Sequence, residues 1–388
     1  MRSIKKEQNL KQKRVLLRLD LNVPLFNGKI TDTTRIDKIL PTINFLLKND
    51  AKIIILSHVG RPKGRVVKEL SLNPICQDLK KKLNTDIKFE TKTLKEITSN
   101  DLFNNQNDKI VILENLRFYS EEEENNNEFA RHLASLADIY VNDAFSCSHR
   151  AHSSIFEITK FLPSYAGLQL NLEIDALTKI TSEIKKPITC IIGGSKISTK
   201  INIIKNLIPK FDNIIIVGGM ANNIIKYKGH SIGKSIQEND CDQIIEEIFS
   251  LSKKKNCEIV YPEDVAVGKN LNGLAKIKDV NKVSEDELIL DIGPKTIQTV
   301  NKLIEKSETI LWNGPAGYFE NPNFAKGSLE IANKIIEKNK SNTIYSVVGG
   351  GDTVALLNGL GVINDFNFVS TAGGAFLEYL EGKELPGI

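Results

Sequence analysis

The feature that most constrains this chain is a repeated alternation of short β-branched runs with stretches of helical periodicity. RVLLRLD (14–20), KIIIL (52–56), KIVILE (109–114) and DIYVND (138–143) read as buried parallel strands. Between the first two, TTRIDKILPTINFLLKND sets Ile36, Ile39, Leu40, Ile43, Leu46 and Leu47 on one helical face. The second half repeats the scheme with PITCIIGG (187–194), NIIIVGG (213–219), ETILWNG (308–314) and NTIYSVVGGG (342–351), each followed by a helical pattern. Such alternation implies an α/β fold of doubly wound parallel sheets with helices on both faces. The helical stretch GLQLNLEIDALTKITSEIKK (167–186) separates the two series and Pro187 opens the next strand, so the domain connection is expected there.

The 388 residues suffice for two domains, each with its own core. Lys and Arg number 52 against 48 Asp and Glu, so the net charge of +4 makes no case for a nucleic-acid partner, and any basic site must be local. The start, MRSIKKEQNLKQKR, is charged, and the apolar stretch after it is broken by Arg18 and Asp20, which argues against a signal peptide. No run approaches the ~18 apolar residues of a membrane span. The five cysteines (76, 147, 190, 241 and 257) contain no C-x-x-C, and the expectation is reduced thiols in the cytosol. The acidic run EEEENNNE (121–128) reads as a solvated loop or helix start.

Ligands of open α/β sheets bind beyond the carboxyl ends of the strands. In the first half those positions hold Asp20 and Asn22, then His58 and Arg61 in SHVGRP, Arg117 in ENLRF, and His149 and Arg150 in NDAFSCSHRAHSS, while Arg35 starts the first helix. Arginine forks match carboxylate and phosphate oxygens two at a time, so this half suits a small, multiply charged anion. In the second half the same positions hold glycines: IIGGSK (191–196), VGGM (217–220), WNGPAG (312–317), VGGGDT (348–353) and STAGGA (370–375). Glycine lets the backbone approach a phosphate, and the helix N-terminus that follows presents N–H groups and partial positive charge. Lys196 and Lys200 add full charges, and Asp352 is placed to hold Mg²⁺ on phosphate oxygens. This half suits a nucleotide.

Other readings fit less well. His149 and His152 with Asp143 have a zinc-like spacing, but the surrounding arginines would repel a cation. Cys147 reads as an ordinary thiol that nearby positive charge would make more reactive. GHSIGKS (229–235) is one residue short of a P-loop and follows a helical pattern, and in GGGDTV (349–354) Val354 replaces the third glycine of a dinucleotide fingerprint. A nicotinamide-dependent dehydrogenase would need that fingerprint intact. A two-domain solute-binding protein would leave Lys196, Lys200 and Asp352 without a task.

The motifs RLDLNVP, ITDTTRI, SHVGRP, LENLRF, VNDAF…HRAH, GGSKISTK, DIGPKT, WNGPAGYFE, GGGDT and STAGGAFLEYLEGKELPG occur in this order. On them the chain resembles the phosphoglycerate kinase family over essentially its whole length. The resemblance implies reversible phosphoryl transfer from 1,3-bisphosphoglycerate to Mg-ADP, giving 3-phosphoglycerate and ATP, by a cytoplasmic monomer with no membrane or nucleic-acid partner. It implies two Rossmann-like domains (1–166 and 187–371) joined by a hinge helix (167–186), with 372–388 returning to the first domain and hinge closure in the cycle. It implies that Asp20, Asn22, Arg35, His58, Arg61, Arg117 and Arg150 bind the acid. Gly193, Gly194, Lys196, Lys200, Gly218, Gly219, Asn313, Pro315, Glu320, Gly349, Gly350, Gly351, Asp352 and Thr353 would bind the nucleotide, with Glu320 on the ribose and Asp352 on the metal. Arg35, Lys196 and the backbone at Gly373 would meet the transferring phosphoryl group. Val217 and Ala372 stand where the family usually has glycine, and Ala372 tolerates fewer backbone angles.

Overall fold

Every strand expected from the β-branched runs forms within three residues of its expected bounds, the largest shift being at Tyr345–Gly349, which starts three residues into the run 342–351. The computed structural model describes residues 1–105 and 107–388. They divide into two units, Met1–Asp175 with Glu384–Ile388, and Ala176–Lys383. The division falls inside the helix Leu168–Thr181, which stops short of the full stretch 167–186. Of the segment 372–388, only the last five residues group with the first unit. The helix Gly373–Leu380 stays with the second, where the Asn206 side chain donates to the Leu380 carbonyl at 2.7 Å.

The first unit is built on a seven-stranded parallel sheet. Its spatial order is Arg2–Ser3, Ser164–Ala166, Ile139–Asp143, Arg14–Leu19, Lys52–Leu56, Ile110–Leu113, Lys88–Glu90. Leu16 pairs with Ile54 on one side and Tyr140 on the other. Alternation along each strand feeds two cores. Val15, Leu17, Ile53, Ile55 and Val141 pack with Ile36, Ile39, Ile43 and Leu46 of the helix Thr34–Lys48, whereas Leu16, Ile54, Val111 and Tyr140 pack on the opposite face with Phe129 and Leu133. Burial on both faces is why these strands read as continuous apolar runs.

The second unit carries a six-stranded parallel sheet ordered Glu258–Val260, Asn213–Val217, Ile188–Gly193, Thr309–Asn313, Tyr345–Gly349, Phe368–Val369. It also contains an antiparallel sheet that the alternation did not reveal. There Asp264–Gly268 lies between Lys276–Asp279 and Leu288–Ile292, with an irregularity at Ala266/Val267. Its strand Lys276–Asp279 has Lys276 and Ile277 exposed, so it offers no apolar face to the sequence pattern.

Both large sheets reverse their winding once. The chain lays Lys52–Leu56 on one side of Arg14–Leu19 and returns to lay Ile139–Asp143 on the other. It likewise lays Asn213–Val217 and Thr309–Asn313 on opposite sides of Ile188–Gly193. Loops part at such reversals and leave a crevice at the carboxyl ends of the strands.

Candidate active site

At the crevice of the first unit, Asp20 and Ser146 come from the two strands that flank the reversal. The Asp20 carboxylate accepts from Arg35 Nη1 at 3.1 Å and from the Ser146 hydroxyl at 2.6 Å. Arg35 Nη1 also donates to the Asn22 carbonyl at 3.1 Å, and Asn22 Oδ1 accepts the Gly60 N–H at 2.9 Å. Asp20, Asn22, Arg35 and the loop carrying His58 and Arg61 are therefore one linked cluster. Arg117 joins it through Nη1 to the Gly60 carbonyl at 3.4 Å. Its Nε is buried without a hydrogen-bond partner among the described residues, 3.7 Å from Glu123. Arg61 and Arg150 are exposed, and Arg150 Nε donates to His149 Nε2 at 3.1 Å. Arg35 and Arg117 are thus tied into this cluster, and Arg61 follows Gly60 in the loop that links them.

Burial acts in the same direction on the two buried histidines. His58 is 3% exposed, and burial followed by the charge of Arg18 holds its pKa well below the ordinary imidazole value. Burial, then Arg117 and Arg18, lower His152 to about 4, and its Nδ1 has no partner among the described residues. Asp143 is not available as a metal ligand. It accepts from Thr42 Oγ1 at 2.5 Å and the Leu170 N–H at 2.8 Å, joining the strand end to two helices, and burial pushes it up to about 6. No group of three His, Cys, Asp or Glu among the described residues is placed to hold a metal ion. Cys147 is buried, with Sγ 3.8 Å from Arg18 Nη2.

Two elements of this crevice escaped the sequence. Arg18 lies in the strand Arg14–Leu19 with no exposed surface, and the acidic run is not wholly solvated as expected, because Glu122 is also fully buried. Glu122 accepts from the Ser154 hydroxyl at 2.5 Å and the Ser154 N–H at 3.0 Å, which compensates its removal from water. A charge amid VLLRL was the available signal for Arg18; nothing distinguished Glu122 from its acidic neighbours.

In the second unit the crevice is made of backbone. Gly193 ends one strand where any Cβ would lie 2.6 Å from the Pro315 carbonyl oxygen. Gly314 has φ +103°, and a Cβ there would stand 2.4 Å from the Gly193 carbonyl oxygen. The two turns that flank the reversal thus touch main chain to main chain, which only glycine permits. Gly218 and Gly350 lead into the helices Gly219–Tyr227 and Gly351–Leu360. Thr353 Oγ1 accepts the Gly314 N–H at 2.7 Å, and Asn313 Oδ1 accepts Lys200 Nζ at 3.2 Å. The Asn313 Nδ2 is buried with no acceptor among the described residues, beside the position a Cβ of Gly350 would take. Burial lowers the Lys200 pKa.

A cleft of about 380 Å³ runs from Gly194, Gly218 and Gly219 past Pro315 to Glu320 and Asp352. Ile236, Pro262, Leu288, Leu290 and Phe319 form apolar walls that the glycine motifs did not foretell. Glu320 and Asp352 are exposed at its rim. Lys196 is exposed on a loop whose Ser198 N–H and hydroxyl both donate to Glu238; neither Lys196 nor Gly373 lines the cleft. Gly373 opens the helix Gly373–Leu380 with empty space where a Cβ would be. Ala372 before it has φ −101°, so this position makes no demand for glycine.

The family model described as phosphoglycerate kinase matches residues 5–383. The chain belongs to the phosphoglycerate kinase family. Its sequence is 45% identical over 378 residues to the phosphoglycerate kinase of Wolbachia pipientis subsp. Culex pipiens (strain wPip), covering 97% of this chain and 95% of that one. It is 44% identical over 385 residues to that of Dictyoglomus turgidum, covering 99% and 96%. Among solved structures, phosphoglycerate kinase from Coxiella burnetii matches with a TM-score of 0.91 at 40% identity, over 100% of this chain and 97% of that one. The enzyme from Pyrococcus horikoshii matches with a TM-score of 0.79 at 27% identity, with the same coverage. As a phosphoglycerate kinase the chain is a transferase with a carboxyl group as acceptor, and its ATP-generating activity belongs to glycolysis.

Proposed function

We propose that the first unit holds 3-phosphoglycerate or 1,3-bisphosphoglycerate through Asp20, Asn22, Arg35, His58, Arg61, Arg117 and Arg150. The second unit holds ADP or ATP through Lys196, Lys200, Asn313, Thr353 and the glycine turns at 193–194, 218–219 and 349–351, with Pro315 and Glu320 on the nucleoside side. One observation carries this reading: each sheet carries its motif residues beyond the carboxyl ends of the strands at and beside its winding reversal, cationic in the first unit and rich in glycine beside a cleft in the second. The apolar walls suit a base, the exposed Glu320 a ribose hydroxyl, and the buried Asn313 N–H a phosphate oxygen.

The donor set also suits magnesium that arrives with the nucleotide. Mg²⁺ takes one or two carboxylates and completes its shell with phosphate oxygens and water. Asp352, exposed in the first turn of the helix Gly351–Leu360, supplies such a carboxylate. When bound there, the ion neutralises charge on the nucleotide phosphates.

No general base is needed. The attacking ADP oxygen and, in reverse, the substrate carboxylate are both deprotonated near neutral pH. Rate then comes from alignment and from neutralising the moving phosphoryl group. Arg35, Lys196 and the N–H at Gly373 fill that role. Phosphoryl transfer consumes the ligand of each unit, so turnover needs both sets of groups. The test is a coupled assay of 3-phosphoglycerate with Mg-ATP, following acyl-phosphate formation by NADH oxidation. Arg35→Ala and Lys196→Ala are each expected to lower kcat by about 10³-fold or more. A kcat within a few-fold of the parent removes that residue from the transition state. The same reading makes the enzyme a cytoplasmic monomer without nucleic-acid or membrane partners, with its balanced charge as support; sedimentation at twice 43.3 kDa would contradict the monomer.

A further inference from the structure

Arg18 is the one arginine of this crevice that cannot touch a ligand. It has no exposed surface, and its three nitrogens are committed. Nε donates to the Ser154 hydroxyl at 3.0 Å, Nη1 to the Leu19 carbonyl at 2.5 Å, and Nη2 lies 3.0 Å from His58 Nδ1. A guanidinium has no lone pair to offer, so in the last contact only Nδ1 can accept. Nδ1 therefore carries no proton, and the proton of the neutral ring is on Nε2. A doubly protonated ring would set two donors against each other at 3.0 Å.

We propose that Arg18 is a positioning residue that fixes His58 as the neutral Nε2–H tautomer, and that Glu122, acting through Ser154, is the buried counter-charge that holds Arg18 in place. The hydroxyl of Ser154 accepts from Arg18 and donates to Glu122 at 2.5 Å, while the Ser154 N–H donates to the other carboxylate oxygen at 3.0 Å. Tyr140 secures the same residue from behind, donating to the Ser154 carbonyl at 2.6 Å. The chain Glu122–Ser154–Arg18–His58 thus ties a buried charge pair to one ring. A buried cation without a counter-charge would be strongly destabilising, which gives Glu122 its place. The outcome is a histidine that presents an N–H to an anionic oxygen and cannot turn its lone pair toward it. This inference rests on the reading of the first unit as the acid's site.

The test uses the full chain with ¹⁵N-labelled histidine, without ligand, followed by steady-state kinetics. Arg18→Met combined with Glu122→Gln removes both buried charges together, so no bare charge threatens the fold; Arg18→Lys keeps a donor. In the parent, NMR is expected to show His58 Nδ1 unprotonated and Nε2 protonated. In the double variant the two tautomers are expected to mix. There KM for 3-phosphoglycerate rises about ten-fold, the effect of one hydrogen bond, while KM for Mg-ATP stays within about two-fold. Arg18→Lys is expected to recover the tautomer and part of the KM. A proton on Nδ1 in the parent overturns the proposal. So does a folded double variant that keeps the parent tautomer or raises both KM values together. If the parent shows the stated tautomer but does not bind 3-phosphoglycerate, it is the reading of the site that falls, and the Arg18–His58 arrangement stands.

Discussion

His152 shows what one buried ring does to pH dependence. Its pKa is about 4 in the folded chain, and about 6.5 is the ordinary value. Between these values the unfolded chain binds a proton that the folded chain refuses, so stability falls as pH falls, by up to about 1.4 kcal/mol per pH unit. Below about 4 both states are protonated and the dependence ends. Asp143, pushed up to about 6, works in the opposite sense, because the folded state keeps a proton that the unfolded state has lost. The raw stability curve mixes these effects, so a difference isolates His152. The stability advantage of the parent over His152→Gln is expected to shrink by about 2 kcal/mol between pH 6.5 and 4.5 and to stay level above pH 7. Urea unfolding at four pH values checks this, and parallel curves would contradict it. Most of the residues that matter here were legible because charged side chains at strand ends have few structural reasons to be there. Arg18 was not, because inside VLLRL it reads as an interruption rather than as a buried charge with Ser154 and His58 waiting for it.

At the scale of elements, glycine divides into two kinds. Gly314 is held at φ +103° against the Gly193 carbonyl, so Gly314→Ala must force apart the two turns that flank the winding reversal. A loss of about 2 kcal/mol or more is expected, from backbone strain and overpacking together. Gly373 has open space around it, and Gly373→Ala is expected to change stability by less than about 0.5 kcal/mol. Its added methyl would meet an approaching phosphate instead, so the loss is expected in kcat. Thermal unfolding and the coupled assay on both variants separate the two kinds; a destabilised Gly373→Ala would contradict the distinction. The sequence marked all these glycines alike. It also announced the parallel strands clearly, since burial on both faces leaves uninterrupted β-branched runs. The antiparallel sheet Asp264–Gly268, Lys276–Asp279 and Leu288–Ile292 was missed because Lys276–Asp279 is largely exposed, Leu288–Ile292 is only partly buried, and the buried Asp264–Gly268 holds just Val265, Ala266 and Val267 between a carboxylate and a glycine; with it went the cleft wall at Leu288 and Leu290.

For the whole molecule, the proposed function gives one ligand to each unit. The α/β architecture and the two series of strands were readable from alternation alone, whereas the strand ends, arginine in one unit and glycine in the other, gave only the class of each ligand, and its identity came from the family resemblance. Hydrogen–deuterium exchange with each ligand added singly tests the assignment most directly. 3-Phosphoglycerate alone is expected to protect peptides spanning 20–22, 58–61 and 146–152 and to leave 193–196 and 350–353 unchanged. Mg-ADP alone is expected to protect 193–196, 218–220, 313–320 and 350–353 and to leave the first set unchanged. Protection of the nucleotide set by 3-phosphoglycerate, or of the arginine-rich set by Mg-ADP, without protection of its own, would contradict the account.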